Sequence, residues 1–401
     1  MIYNTDISQS NGRDIARRCP RPEGTEQVHR AVAFVGSFRA LGAGTALLAF
    51  ALFTSLSARA VIFTGTGDPT HNTTAPTGAL TNSGWQWQGR WGSFLGTTVA
   101  PDFFLTASHV GGGTGQMFQY GGRNYPAVAA YLAPGADLRL WRVAGTLPSF
   151  APRYTGALER SKGVVIIGRG TRRGDPVVAN QENKGWLWGP GDGVQRWGTN
   201  VVAAVFDAKG QANNSRTPLA GDQLACTFDT SAGRDEVTLS GGDSGGALFL
   251  LDGGQWKLAG INKAVEATFR LTADGANFSA AIFDRGGLYE EAAVQTWQLN
   301  PEQSVPQPTA CFDTRIAGSE SWITGVLAGQ VAPDNAVTVE SAPAPAGPYA
   351  TETAAILDAA NFRFTVPATG DTRFYRLRAD NALPLRVLAL GDRRLTLGFA
   401  P

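Results

Sequence analysis

Cysteine is scarce in this chain of 401 residues: only Cys19, Cys226 and Cys311. That excludes a small scaffold stapled by several disulfides, and it excludes a cysteine-built zinc cluster. Histidine is equally scarce, at His29, His71 and His109, and no group of residues has metal-ligand spacing, so no metal is implied. Neither sign of charge is in excess, with 34 Lys and Arg against 33 Asp and Glu. No basic stripe asks for nucleic acid and no acidic tail asks for a cationic partner. Long stretches at a period of 3.6 residues are nearly absent, which excludes a helical bundle. There is no internal repeat and no low-complexity tract.

What the chain has in quantity is glycine, 50 residues, with 22 prolines and a charged fraction of only 17%. That profile fits short strands joined by many turns, an all-β class. Apolar runs split by Gly, Pro, Asn and Asp recur at 93–108, 136–143, 163–168, 246–261 and 278–283. The run around Asp252-Gly253-Gly254 reads as a hairpin. A helical pattern appears only at 288–299. Residues 300–310, NPEQSVPQPTA, read as a linker. Beyond them SWITGVLAG, AVTVESAP, NFRFTVPA, TRFYRLRA and RRLTLGF read as the strands of a small sandwich.

The beginning of the chain has a different character. Residues 40–57 are apolar or small and free of charge, Arg39 precedes them, and Ala58-Arg59-Ala60 follows. A positive flank, an apolar stretch and an A-x-A site are the three parts of a secretory leader. Cleavage after Ala60 leaves Val61 first. A translation start near Val28 or Val32 shortens the long polar segment ahead of it. Left uncleaved, the same stretch is about long enough to span a bilayer. The expected location is secreted, periplasmic or at the cell surface, with membrane contact only if 40–57 is retained. Cys19 leaves with the leader. Cys226 and Cys311 either pair in an oxidising compartment or remain two buried thiols.

Three short pieces carry chemistry: LTASH ending at His109, ADLRL holding Asp137, and GGDSGG holding Ser244. A serine hydroxyl is a poor nucleophile unless a base takes its proton. That base needs a carboxylate to fix its tautomer and stabilise the imidazolium. Gly242 has no Cβ, so its N–H, with that of Ser244, can face an oxygen that becomes negative during acyl transfer. GDSGG also satisfies the G-x-S-x-G elbow of α/β-hydrolases, in which the catalytic histidine follows the serine. No histidine follows Ser244, so that reading falls.

Blocks 93–110, 136–143 and 240–261 resemble the three signature blocks of trypsin/chymotrypsin-like serine peptidases. The resemblance spans 61–299. It implies two six-stranded antiparallel β-barrels with His109 as base, Asp137 as its partner, Ser244 as nucleophile, and Gly242 with Ser244 as the oxyanion hole. Asp243 matches the family's buried aspartate, which in many members pairs with a newly formed N-terminus. Thr238, six residues before Ser244, and Lys263 match substrate-binding positions. Thr238 brings no carboxylate, so a strict trypsin-like preference for Arg or Lys is not expected. Phe94 and Val110 stand where many animal members have cysteines, so the chain resembles a bacterial type with few disulfides.

The expected organisation is a leader at 1–60, a peptidase domain at 61–299, a linker at 300–311 and a C-terminal β-sandwich at 312–401. The last unit resembles fibronectin-like modules and implies only attachment or spacing. The implied activity is endopeptidase hydrolysis of polypeptides through an acyl-enzyme, by a monomer needing no cofactor. The alternative is an inactive secreted binding or adhesion protein on the same fold. In that reading Trp85, Trp87 and Trp91 serve a ligand surface rather than pack in the core.

Overall fold

A computed structural model describes residues 58–59, 61–206, 222–230, 232–293, 295–367, 373–391 and 393–399. The proposed leader lies outside them, apart from Ala58–Arg59, which pair in parallel with Gly193–Val194.

Six antiparallel strands form the first barrel: β1 Gln88–Trp91, β2 Phe94–Ala100, β3 Phe103–Thr106, β4 Met117–Tyr120, β5 Arg123–Leu132 and β6 Arg139–Val143. The sheet closes because β5 pairs with β6 as well as with β4. Trp91, Phe104, Phe118, Tyr125 and Trp141 fill the interior, with Phe104 and Phe118 stacked at 3.9 Å. Trp85 and Trp87 pack half-buried against the neighbouring core. These tryptophans are packing residues, which weakens the ligand-surface alternative.

The second barrel comprises β7 Gly163–Gly168, β8 Arg196–Phe206, β9 Gln223–Thr227, β10 Ala247–Asp252, β11 Gln255–Val265 and β12 Ala310–Arg315. The expected hairpin is present: Asp252 pairs with Gln255 across Gly253-Gly254, whose φ values of +59° and +77° suit a two-residue turn. Cys226 on β9 stands directly opposite Cys311 on β12, and both are buried free thiols. Between the barrels lies a shared core in which Leu95, Leu105, Leu138 and Leu140 meet Val165, Ile167, Phe249 and Ile261. The fold is therefore all-β with two six-stranded antiparallel barrels, the chymotrypsin-like arrangement that the resemblance implies.

Three sequence readings need correction. Residues 300–311 are not a free linker, because Thr309 is buried and bonded to Ile282, and Ala310–Arg315 is the last strand of the second barrel. The boundary at 311/312 thus falls inside β12. SWITGVLAG is not a strand but most of a helix, α1 Ile316–Leu327, which buries Ile316, Ile323 and Val326 on one face against the shared core. Spacings of seven and three residues bring these to one helical face, a period hidden by β-branched residues. The 288–299 segment is a hairpin, Tyr289–Ala293 with Thr296–Leu299, turning at Gln295 with φ +61°.

Two insertions build a sheet of their own. Thr171–Ala179 and Glu182–Gly191, inserted after β7, join four strands inserted between β11 and β12. The C-terminal sandwich is a three-stranded and a four-stranded sheet over Val337, Val339, Phe364, Val366, Leu397 and Phe399. Its core takes in Val128 and Ala144 of the first barrel, and Asn335–Ala336 adds a strand to the edge of β5.

Candidate active site

His109 follows β3. The strand ends at buried Thr106, and Ser108–Val110 then make one tight turn that turns the imidazole outward, 44% exposed. Asp137 precedes β6, where buried Leu138 and Leu140 pin the chain. The Thr314 hydroxyl on β12 donates to the Asp137 carbonyl at 3.1 Å, tying this turn to the second barrel. Ser244 lies on the turn that leads into β10. The two barrels bring all three side chains to their junction.

The contacts run in series. His109 Nδ1 is 2.6 Å from Asp137 Oδ2, and His109 Nε2 is 2.7 Å from Ser244 Oγ. Asp137 Oδ1 also accepts from the Ser108 hydroxyl at 2.5 Å and from the His109 N–H at 3.0 Å. Burial works against the Asp137 carboxylate. The hydrogen bond and charge of His109, with the Ser108 bond, outweigh it and bring the pKa down to about 2. Asp137 is therefore an acceptor at neutral pH, and Nδ1 must carry the ring proton. Nε2 is left with its lone pair toward the Ser244 hydroxyl, the arrangement needed to take a proton from it. Nothing local in the sequence marks Ser108, because a polar side chain beside a histidine is common.

The turn that carries Ser244 is organised by Asp243. Its carboxylate accepts from the N–H and hydroxyl of Ser240 at 2.7 and 2.8 Å, from Gly170 N–H at 2.6 Å and from Val61 N–H at 3.2 Å. Burial nonetheless raises its pKa against those four donors. Val61 and Ile62 are sealed, at 1% and 0% exposure. The N–H groups of Asp243, Gly245 and Gly246 donate to Ser240, Asn262 and Asp243 carbonyls. Those of Gly242 and Ser244 have no acceptor among the described residues. Gly242 has φ +96°, which favours glycine. A Cβ on Gly245 would stand 2.3 Å from Thr106 Oγ1 and 2.6 Å from the Leu95 carbonyl, so glycine is what lets the Ser244 turn touch the first barrel.

The two expected substrate positions differ. Thr238 is fully buried, paired with Ile62 in a short strand contact, and offers no surface to a substrate. Lys263 is half-buried on β11; burial lowers its pKa and the Asp137 charge opposes this. Elsewhere Glu182, Asp284 and Glu302 converge, but the Lys184 ammonium stands among them at 3.0, 2.8 and 2.9 Å. That cation fills the place a metal would take.

No family model matches the sequence, and no curated protein matches it. Among solved structures the chain is similar to mouse neuropsin, a serine protease expressed in the limbic system of the brain. The identity is 14%, the match covers 61% of this chain and 96% of that one, and the TM-score is 0.38.

Proposed function

We propose that the protein is a secreted serine endopeptidase. The observation that carries this reading is the pair of contacts at 2.6 and 2.7 Å that joins Asp137, His109 and Ser244. In the proposed cycle Ser244 Oγ attacks a peptide carbonyl while its proton passes to His109 Nε2. Asp137 holds the resulting imidazolium. The N–H groups of Gly242 and Ser244 receive the oxyanion. His109 returns the proton to the leaving amine, and water then releases the acyl group by the same steps in reverse. The open position of His109 at the barrel junction suits a polypeptide laid across the site.

Secretion rests on the leader at 1–60. Its removal after Ala60 is supported by the 3.2 Å contact of Val61 N–H with Asp243, because a cut at that bond would set an α-amino group against a buried carboxylate.

A fluorophosphonate probe tests the activity. The wild-type protein should label at Ser244 and hydrolyse members of a peptide library, and Ser244→Ala should do neither. A folded wild-type protein that stays unlabelled would overturn the reading in favour of a binding protein. Mass spectrometry of the exported form tests the leader; a chain retaining 40–57 would contradict it.

A further inference from the structure

The chain after His109 reads Gly111-Gly112-Gly113-Thr114-Gly115, four glycines in five residues. Such a segment gives up more backbone entropy on ordering than any other composition, so something outside it must hold it. On the histidine side it is held by the Trp91 indole, which donates to the Gly111 carbonyl at 3.0 Å. On the far side the Gly115 N–H donates to the Ala127 carbonyl of β5 at 2.7 Å, and the C-terminal sandwich holds Thr114 between these two anchors. Thr114 N–H and hydroxyl donate to Asp380 Oδ2 at 2.8 and 3.0 Å. Asp380 N–H donates back to the Thr114 hydroxyl at 3.0 Å. Asn381 donates to the Thr114 carbonyl from its backbone at 2.8 Å and from its side chain at 3.1 Å. Thr114 is 0% exposed. The flanking glycines fit because a Cβ at Gly113 would stand 2.7 Å from Asp380 Cβ, and one at Gly115 would stand 2.3 Å from the Asn381 carbonyl. Asn335, on the strand that joins the sandwich to β5, donates to the same Asp380 oxygen at 2.6 Å and fixes the carboxylate in turn.

From this contact we infer that Asp380 is a positioning residue for His109, and that the C-terminal sandwich is a clamp on the loop of the base rather than a tethered spacer. The inference rests on the peptidase reading. The imidazole must meet Asp137 and Ser244 at once, and a loop of glycines loose by about 1 Å would break one contact or the other, a misplacement that costs on the order of 100-fold in rate. Asp380 acts through Thr114, five residues from His109, and touches no substrate.

Asp380→Ala, Asp380→Asn and Thr114→Val in the full chain test this. In Asp380→Ala the rate of fluorophosphonate labelling and kcat on a small peptide ester should fall about 10- to 100-fold, with KM changed by less than about threefold. Amide exchange at Thr114 should accelerate, and the low-field proton resonance of His109 Nδ1–H should broaden. Asp380→Asn keeps one acceptor oxygen and should recover part of the rate. If Asp380→Ala does not fold, the two milder variants decide. Full labelling and kcat in these variants, or losses that follow only their melting curves, would overturn the clamp. A wild-type protein that never labels would sink the peptidase reading instead, and the exchange and resonance data would still judge the clamp.

Discussion

Asp313 lies on β12 inside the second barrel, 0% exposed, with Leu224 and Asn262 as its cross-strand neighbours. Neither of its carboxyl oxygens has a hydrogen-bond partner among the described residues. Burial pushes its pKa from the ordinary 3.8 up to about 8. At neutral pH the folded chain therefore holds a proton that the unfolded chain has released. The stability this represents is complete below about pH 4, where both states are protonated. It is lost as pH rises, until the folded carboxyl ionises as well. At about 1.4 kcal/mol per pH unit the loss from pH 4 to pH 8 is roughly 5 kcal/mol. That is a large share of the roughly 5–15 kcal/mol that holds an ordinary domain together. Glu236, buried and likewise raised to about 8 mainly by burial, acts in the same direction.

Asp313→Asn keeps the size of the side chain and cannot ionise. Urea unfolding followed by tryptophan fluorescence should show the variant gaining on the wild type as pH rises. The advantage should grow by about 4 kcal/mol between pH 5 and pH 8, while Glu236 and Asp243, both raised by burial, contribute to the slope the variant retains. Stability curves that stay parallel over that range would refute the reasoning. They would mean that Asp313 ionises at its ordinary pKa, or has a partner that keeps it charged.

Asp137→Asn should fold normally yet lower the fluorophosphonate labelling rate by about four orders of magnitude, because an amide favours the wrong imidazole tautomer; a loss below tenfold would contradict the assigned role. Gly245→Ala forces a Cβ against the Leu95 carbonyl at a φ of +78°, and its urea midpoint should correspond to a loss of about 2–4 kcal/mol. An unchanged midpoint would show that the barrels can part at that contact. Lys184→Met leaves Glu182, Asp284 and Glu302 facing one another, but Glu182 and Glu302 are solvent-exposed, so it should cost about 1–2 kcal/mol, read in the same assay. A variant as stable as the wild type would mean that the ammonium contributes nothing net.

The three side chains that meet at the barrel junction are legible in the sequence because each sits in a short block whose glycines and small residues are demanded locally. Gly245 is needed within 3 Å of the opposite barrel, and Gly242 is needed for its φ. Their order along the chain removed the competing hydrolase fold. What escaped was long-range. Thr309 and β12 looked like linker because prolines precede them, yet their partners Ile282, Gln223 and Gly260 are contiguous with them only in space. Helix α1 was hidden because Ile, Thr and Val suit a strand as well as a helix, and its buried face became evident only against the shared core. Position along the chain alone points Thr238 to a substrate pocket, and its burial and pairing with Ile62 close that surface. The Asp380 clamp joins residues 266 positions apart, which no local pattern can announce.

Val61 is where a leader motif and a buried carboxylate meet. In the continuous chain Val61 has φ +26°, a conformation a β-branched residue rarely holds, and its N–H gives Asp243 only a neutral donor at 3.2 Å. A cut after Ala60 removes the φ restraint, since a terminal residue has no preceding peptide, and turns that donor into an ammonium. A charge-assisted bond is roughly twice as strong as a neutral one. It would favour the ionised Asp243 that burial opposes, and so fix the turn whose next residue is Ser244. Export and activation would then be one event. A chain beginning at Val61 should label with fluorophosphonate at least about tenfold faster than one that keeps Ala60, a difference of about 1.4 kcal/mol in the population of the ordered turn. Acetylating the Val61 amine should remove the advantage. Equal rates for all three would mean that Asp243 is satisfied by its four neutral donors, and that a cut after Ala60 does nothing for the Ser244 turn.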